Sequence, residues 1–377
     1  MIYKNELPTP MTLVDEATLL QNIHEAQAAC MQHGKRLVPM TKTHKSGFIA
    51  KLQLEAGASG LLAGTILEAE RFCLLSPKEI TFAYPFLGRC NLLRMLAVGK
   101  KVPITVSIDT LAAAKSYDTF CEEQGVVWPY LLLVDIGLGR FGVPPEEAGV
   151  YISAIAAQCP NLLFAGVASH PGQVYACSST EQRDACFIEE ERLLRAARDA
   201  VLNAGFPCPV IASGSTPTFL GEVQSSVINV VRPGNYVFYD VIQTTFGIPE
   251  ERCALSILAT ILSRKGDCQW IMDAGSKCLG LDKGAHGNSA ITGYGKVKGY
   301  PDLIITSLSE EVGILKSESA LPLAVGDRIE IIPNHSCSAA NMASHIALCR
   351  GGEVTAAYEV DAREGTGLHA FLPQIYK

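Results

Sequence analysis

The stretch RLVPMTKTHKSGF, residues 36–48, decides how the first two-thirds of this chain are read. Leu37, Val38 and Met40 form a short apolar run of strand character, and it ends where Lys42, His44 and Lys45 stand close together. Taken alone, Lys-Thr-His-Lys reads as a basic turn facing water. Its place in a repeating pattern argues for more. The preceding "DEATLLQNIHEAQAACMQHG" has apolar residues at helical spacing, an acidic start and Gly34 at its end, and "FIAKLQLEAG" reads as the next helix. Further on, "SGLLAG", "EITFAY", "PITVSID", "PYLLLVDIG", "LLFAGVASH", "CPVIASG" and "INVVRPG" are short apolar runs closed by Gly or polar residues. With RLVPMTK they make eight strands, most of them separated by helical stretches such as "TLAAAKSYDTFCEEQG". Eight βα units in about 230 residues predict a closed parallel (β/α)8 TIM barrel rather than an open sheet.

Such barrels gather functional groups at the C-terminal ends of their strands. Lys42, Tyr84, Asp135, His170, Ser213 and Arg232 all fall there in this reading. After about residue 248 the texture changes. "CALSILATILSRKG", "CQWIMDAGS", "DLIITSLSEEVGIL", "DRIEIIPNH", "HIALCRGG" and "EVTAAYEV" are β-rich and punctuated by turns. The expected division is a barrel over residues 11–247 and a β-rich unit made of residues 1–10 and 248–377.

Bulk composition narrows the function classes. The chain has 377 residues, 48% hydrophobic and 18% charged, with a net charge of −7. That balance argues against nucleic acid or an anionic membrane as partner, since both need a basic footprint. The opening "MIYKNELPTPMTLVDE" has no basic start followed by an apolar run, and no stretch reaches the 18–20 uncharged residues of a membrane span. A cytoplasmic location is the expectation. The 13 cysteines are odd in number, scattered, and free of Cys-x-x-Cys pairs, so they read as reduced thiols acting as small hydrophobes.

Three constellations carry possible chemistry. "VDIGLGRFG", residues 134–142, has the Gly-x-Gly-x-x-Gly spacing of a dinucleotide loop. It lies mid-domain, and no acidic residue ends the next strand, so a tight turn presenting Arg140 to the barrel mouth is the better reading. "ASGSTPT" and "RPGNYVFYD" follow the last two barrel strands, where barrels commonly bind phosphate; the alternative is ordinary turns. "IPNHSCSAANM" places His335 and Cys337 two apart, on one side of an extended segment. The pair suits a divalent metal, with the sulfur favouring zinc, or else is a buried histidine beside a core cysteine.

A barrel with a lysine at the end of its first strand, phosphate loops after strands seven and eight, and a trailing β unit resembles the alanine-racemase-type (fold type III) pyridoxal phosphate enzymes. Within them it resembles most the D-serine dehydratase/D-threonine aldolase family. The motifs carrying the likeness are "LPTPMTLVDE", "KTHKS", "GLGRFGV", "SHPGQVYACSS", "GSTPT", "RPGNYVFYD" and "PNHSC", in order along the chain. The resemblance implies that Lys42 holds pyridoxal 5'-phosphate as a Schiff base, with Lys45 the motif's second lysine. It implies Arg140 near the cofactor's phenolic oxygen and His170 and Tyr175 lining its ring. Ser215, Thr216, Gly234 and Asn235 would grip the phosphate, and His335 and Cys337 would form the metal pair. Where the family usually carries Arg-x-His before the lysine motif this chain has Val38 and Met40, and Val312 stands where a histidine is often found.

What the resemblance implies for function is a metal-assisted lyase acting on 3-hydroxy D-amino acids. The first expectation is conversion of D-serine to pyruvate and ammonia. The alternatives are D-threonine aldolase-type cleavage to glycine and an aldehyde, or racemisation on the same fold. Members of this two-domain sort are usually homodimers, and a homodimer is expected here.

Overall fold

The computed structural model describes residues 1–282 and 290–363. Residues 283–289 and 364–377, which the sequence reading assigns to the β-rich unit, lie outside the described residues. Two sheets organise the chain. The first has eight parallel strands, Arg36–Leu37, Leu61–Ala63, Ile80–Phe82, Ile104–Ile108, Trp128–Leu133, Leu162–Ala168, Val210–Ser213 and Val230–Val231. These are the eight runs expected from the sequence. They pair in sequence order, and the last returns to the first through Leu37 opposite Val231. On the other side Met40 bridges Leu62 in parallel, and the Leu62 N–H donates to the Pro39 carbonyl at 2.9 Å. The barrel is thereby closed, although Pro39, with no N–H to give, leaves only two residues of the first strand in a regular ladder.

Each connecting helix follows from its sequence. Glu16–Gln32 is capped by Asp15, whose side chain accepts the Thr18 N–H, and it buries Leu19, Ile23, Ala26 and Cys30 at three- and four-residue intervals. Thr65, Thr110 and Ser179 cap the helices Ile66–Phe72, Leu111–Gln124 and Thr180–Asn203 in the same way. Inside the barrel Val38, Met40, Leu62, Leu131, Leu133, Ala168, Ala212 and Val230 pack on one another. The interior is a filled core. Val38 and Met40 belong to this apolar plug.

The second sheet has nine strands, mostly antiparallel, with Leu255–Arg264 near its middle. Strand Met11–Asp15 lies in this sheet, antiparallel to 255–258 and parallel to 347–349. The sequence reading began the barrel unit at residue 11; the chain instead adds a strand to the β sheet first and enters the barrel layer only at Glu16. The reason is burial: Leu13 and Val14 point to opposite faces of a sheet covered on both sides, so the strand needs a partner on each edge. Tyr3 also bridges Glu353, which ties the first residues to the same sheet. Among the described residues no helix is long and apolar enough to cross a membrane.

Candidate active site

The C-terminal mouth of the barrel opens into a cavity of about 550 Å³, closed on one side by the second unit. That volume suits a small cofactor with its substrate. Lys42, Arg140, His170, Tyr175, Ser215, Gly234, Asn235, His335 and Cys337 all line it, so residues almost 300 positions apart are brought to one wall. Thr216 does not. It sits one layer back, with its hydroxyl accepting the Tyr236 N–H at 3.2 Å.

Lys42 sits on a single 3-10 turn, Thr41–Thr43, directly after the first strand. The turn is held by the Thr41 hydroxyl, which donates to the Leu62 carbonyl at 3.0 Å and to the buried Glu68 carboxylate at 2.7 Å. Lys45 takes a left-handed backbone, φ 45°, which is costly for a side chain with a Cβ. The ammonium so placed lies on the cavity wall, 4.0 Å from Glu68. His44 turns away into the protein. Its Nδ1 accepts the Ser46 N–H and its Nε2–H reaches Gln53 at 3.2 Å, while Gln53 donates to the Tyr236 hydroxyl at 3.0 Å. Burial pushes the His44 pKa down to about 4. That chain runs from the lysine turn to the loop after the eighth strand.

The two loops expected to take a phosphate are packed against each other. A Cβ on Gly214 would lie 2.3 Å from the Arg232 backbone, and one on Gly234 would lie 2.7 Å from the Thr43 hydroxyl. Only glycine permits this closeness. Glu222 supports the first loop from below, accepting the Ser215 N–H at 3.0 Å and the Thr218 hydroxyl, and burial pushes its carboxyl up to about 7. Arg232 is buried in the cavity floor; its Nη2 donates to the Ser169 carbonyl while Nε has no protein partner among the described residues. An unpaired buried guanidinium N–H is costly and suits an acceptor brought by a ligand.

His170 donates through Nδ1 to the Gly214 carbonyl at 2.8 Å. Burial, with Lys42 nearby, pushes its pKa down to about 3, so a neutral ring faces the cavity. Tyr175 is half-buried, and burial of its hydroxyl raises its pKa. Arg140 stands exposed at the rim with its guanidinium 5.3 Å from the Tyr84 ring and 5.6 Å from the Phe141 ring. The loop carrying it is a tight turn, as the sequence reading preferred: Asp135 accepts the N–H groups of Gly137 and Gly139.

The His335–Cys337 segment differs from expectation. It is not an extended stretch with both side chains on one side: His335 is extended, but Ser336–Met342 is a helix that begins immediately after it. The pair still converges, because the ring is turned by a bond from Nδ1–H to Asp282 at 2.6 Å. Burial opposes charge on both groups. Their mutual attraction, together with Asp282, outweighs it, raising the His335 pKa and lowering that of Cys337 toward the thiolate. A cysteine sulfur and an imidazole nitrogen converging in a cavity, the imidazole braced by a carboxylate, fit a divalent metal with open positions. Among the described residues no cluster of three or more metal-binding side chains occurs, so substrate or water would complete the set. The lysine, the Nε–H of Arg232 left free among the described residues and the glycine-lined loops likewise fit pyridoxal phosphate. Sequence reasoning gave no role to Glu68, to Asp282, or to Asp240 at the end of RPGNYVFYD; each has a partner far away in the chain, Thr41, His335 and Ser336 respectively.

Comparison with known proteins bears on these features. Residues 14–241 match the family model described as alanine racemase, N-terminal domain, and residues 254–349 match that of a putative serine dehydratase domain. The chain is 30% identical to D-threo-3-hydroxyaspartate dehydratase of Delftia sp. (strain HT23), over 92% of this chain and 96% of that one. A mutant of that enzyme solved in a metal-free form superposes with a TM-score of 0.88, at 29% identity, covering 95% of this chain and 99% of the other. D-serine dehydratase of Dictyostelium discoideum is 28% identical over 90% of this chain and 93% of its own. D-threonine aldolase from Filomicrobium marinum, at 25% identity, has a TM-score of 0.88 over 96% of this chain and 97% of that one. The barrel, its attached β sheet and these matches agree: the chain belongs to the D-serine dehydratase/D-threonine aldolase family of alanine racemase-like, pyridoxal phosphate-dependent lyases.

Proposed function

We propose that this protein is a pyridoxal phosphate- and divalent metal-dependent lyase acting on 3-hydroxy D-amino acids: water is eliminated across Cα–Cβ, and the resulting enamine, as its imine, takes water back and releases ammonia to leave a keto acid, so that D-serine gives pyruvate and ammonia. The observation that carries the reading is the meeting of Lys42 with the His335–Cys337 pair in one cavity at the mouth of the barrel.

Bound pyridoxal phosphate supplies an electron sink for negative charge at the substrate Cα, and a metal held by His335 and Cys337, zinc given the thiolate, supplies a Lewis acid at the β-hydroxyl. The protein's share is positional and acid–base. Lys42 carries the cofactor and then takes the α-proton as general base. The buried guanidinium of Arg232 offers its unpaired N–H to the ring, and neutral His170 lines the ring without competing for that proton. Ser215, Gly234 and Asn235 form the phosphate cradle, with Thr216 behind it bracing Tyr236. Arg140 closes the rim, and Tyr175 closes the side wall.

Elimination is favoured over retro-aldol cleavage by what flanks the metal pair. The neighbouring wall groups Thr43, Ser338 and Asn341 are neutral, Glu68 lies fully buried against Lys45, and the carboxylate hydrogen-bonded to the pair, Asp282, is already engaged by His335 and Ser338. Elimination takes the α-proton, for which Lys42 is placed, and uses the Lewis acid on the departing hydroxide, whereas retro-aldol cleavage takes the hydroxyl proton instead and needs its base beside the metal pair. The 30% identity to a dehydratase supports the same choice. As in the family it resembles, the protein is taken to be a homodimer, which light scattering reads directly.

The test is to incubate the purified protein with D-serine, D-threonine and D-threo-3-hydroxyaspartate and assay keto acid, ammonia, glycine and aldehyde together. Keto acid and ammonia in equal amounts are expected. Glycine with an aldehyde would replace the elimination by the aldolase reaction, and interconversion of enantiomers alone would make the protein a racemase.

A further inference from the structure

Asp240 lies outside the cavity wall, close enough for its charge to act on His335 and Cys337, and it joins the segments that hold the cofactor loop and the metal pair. It is fully buried at the exit of the phosphate loop and caps the helix Val241–Thr244 through Oδ1, which accepts the Gln243 N–H at 3.2 Å. Its other oxygen accepts from two directions. Asn235 Nδ2 of the phosphate loop donates at 2.7 Å, and the Ser336 N–H, between the two proposed metal ligands, donates at 2.9 Å with its hydroxyl at 3.2 Å. Asn235 Nδ2 also lies 2.9 Å from the Ser336 hydroxyl and 3.5 Å from the Cys337 sulfur. Two backbone bonds run alongside, from Val241 N–H to the Pro333 carbonyl and from Ile242 N–H to the Asn334 carbonyl.

The geometry points to a coupling role: we propose that Asp240 is a positioning residue that makes cofactor binding and metal binding depend on one another. This rests on the functional reading above and deepens it. An anion buried between two donors from different segments fixes both or neither. The Asn235 amide nitrogen is held by Asp240 and Ser336, so the side chain is fixed from the metal side and offers the phosphate no donor of its own; what it sets is the course of the 234–235 backbone. Ordering residues 335–337 around a metal therefore orders residues 234–235 for a phosphate. By linkage the effect must be equal in reverse: whatever factor the metal adds to cofactor affinity, the cofactor adds to metal affinity.

The experiment is equilibrium dialysis of the full-length protein against graded pyridoxal phosphate, with zinc supplied or held away by a chelator, followed by zinc titration with and without the cofactor. In the wild type zinc should tighten the cofactor at least about fivefold, and the cofactor should tighten zinc by the same factor. In Asp240→Asn, and more mildly in Ser336→Ala, that ratio should fall toward one, including in protein whose melting temperature is close to wild type. A merely structural role would lower both affinities and leave the ratio unchanged. A wild-type ratio of one, or a full ratio in both variants, would overturn the proposal while leaving a positive product assay intact. Protein that takes up neither group would overturn the functional reading and this proposal with it.

Discussion

His335 Nδ1 lies 2.6 Å from Asp282 Oδ2, and the Ser338 hydroxyl donates to the same carboxylate oxygen at 3.0 Å. The bond fixes the tautomer and the tilt of the imidazole, so that Nε2 is the nitrogen left to face Cys337. Asp282 stands 53 positions before the histidine it orients.

Removing that brace without removing a ligand isolates its effect. Asp282→Asn should weaken metal binding about 10- to 100-fold, the usual cost of losing such a partner. Competition against a chromogenic chelator measures it. Unchanged metal affinity would mean that Asp282 does not orient His335.

His44 sets a pH dependence. It is buried neutral, with its pKa pushed by burial from the ordinary histidine value to about 4. Below about pH 6.5 the unfolded chain takes up a proton that the folded protein refuses until about pH 4. The stability at stake is complete above about 6.5 and declines as the pH falls, by up to about 1.4 kcal/mol per pH unit. Urea midpoints between pH 7.5 and 5 should drop in the wild type and drop less steeply in His44→Gln. Equal slopes would assign the proton uptake to other groups.

Gly234 is a packing constraint. A Cβ there would meet the Thr43 hydroxyl at 2.7 Å and the Met40 Cβ at 3.2 Å, so Gly234→Ala should cost about 1–3 kcal/mol and weaken the cofactor. Adding Thr43→Ala removes the nearest atom and should recover part of the loss. Additive effects of the two changes in thermal melts would argue against the clash.

The barrel was legible because each strand is an apolar run stopped by Gly or a polar residue, and because the groups closing those runs, Lys42, His170 and Arg232, fall at one end. The convergence of Lys42 with His335 was legible only through resemblance, since no local pattern says that residue 335 returns to residue 42. The Thr216 hydroxyl takes the Tyr236 N–H one layer behind the cavity wall, and a hydroxyl in a loop serves equally to grip a ligand or to cap a neighbouring N–H, which sequence does not separate. The 335–337 segment was read as extended because Pro333 and a preceding β run hide a helix of seven residues. Asp282 carried no signal and Asp240 only its place at the end of RPGNYVFYD, since the role of a buried carboxylate is recognisable only once its distant partners are known.

The central claim is that Lys42, and not its neighbour Lys45, carries the cofactor. Borohydride reduction of the protein loaded with pyridoxal phosphate, followed by proteolysis and mass mapping, tests it in one measurement. The account predicts a single phosphopyridoxyl mass on Lys42, absent from Lys42→Ala. The same mass on Lys45, or reduction that leaves no lysine labelled, would contradict it.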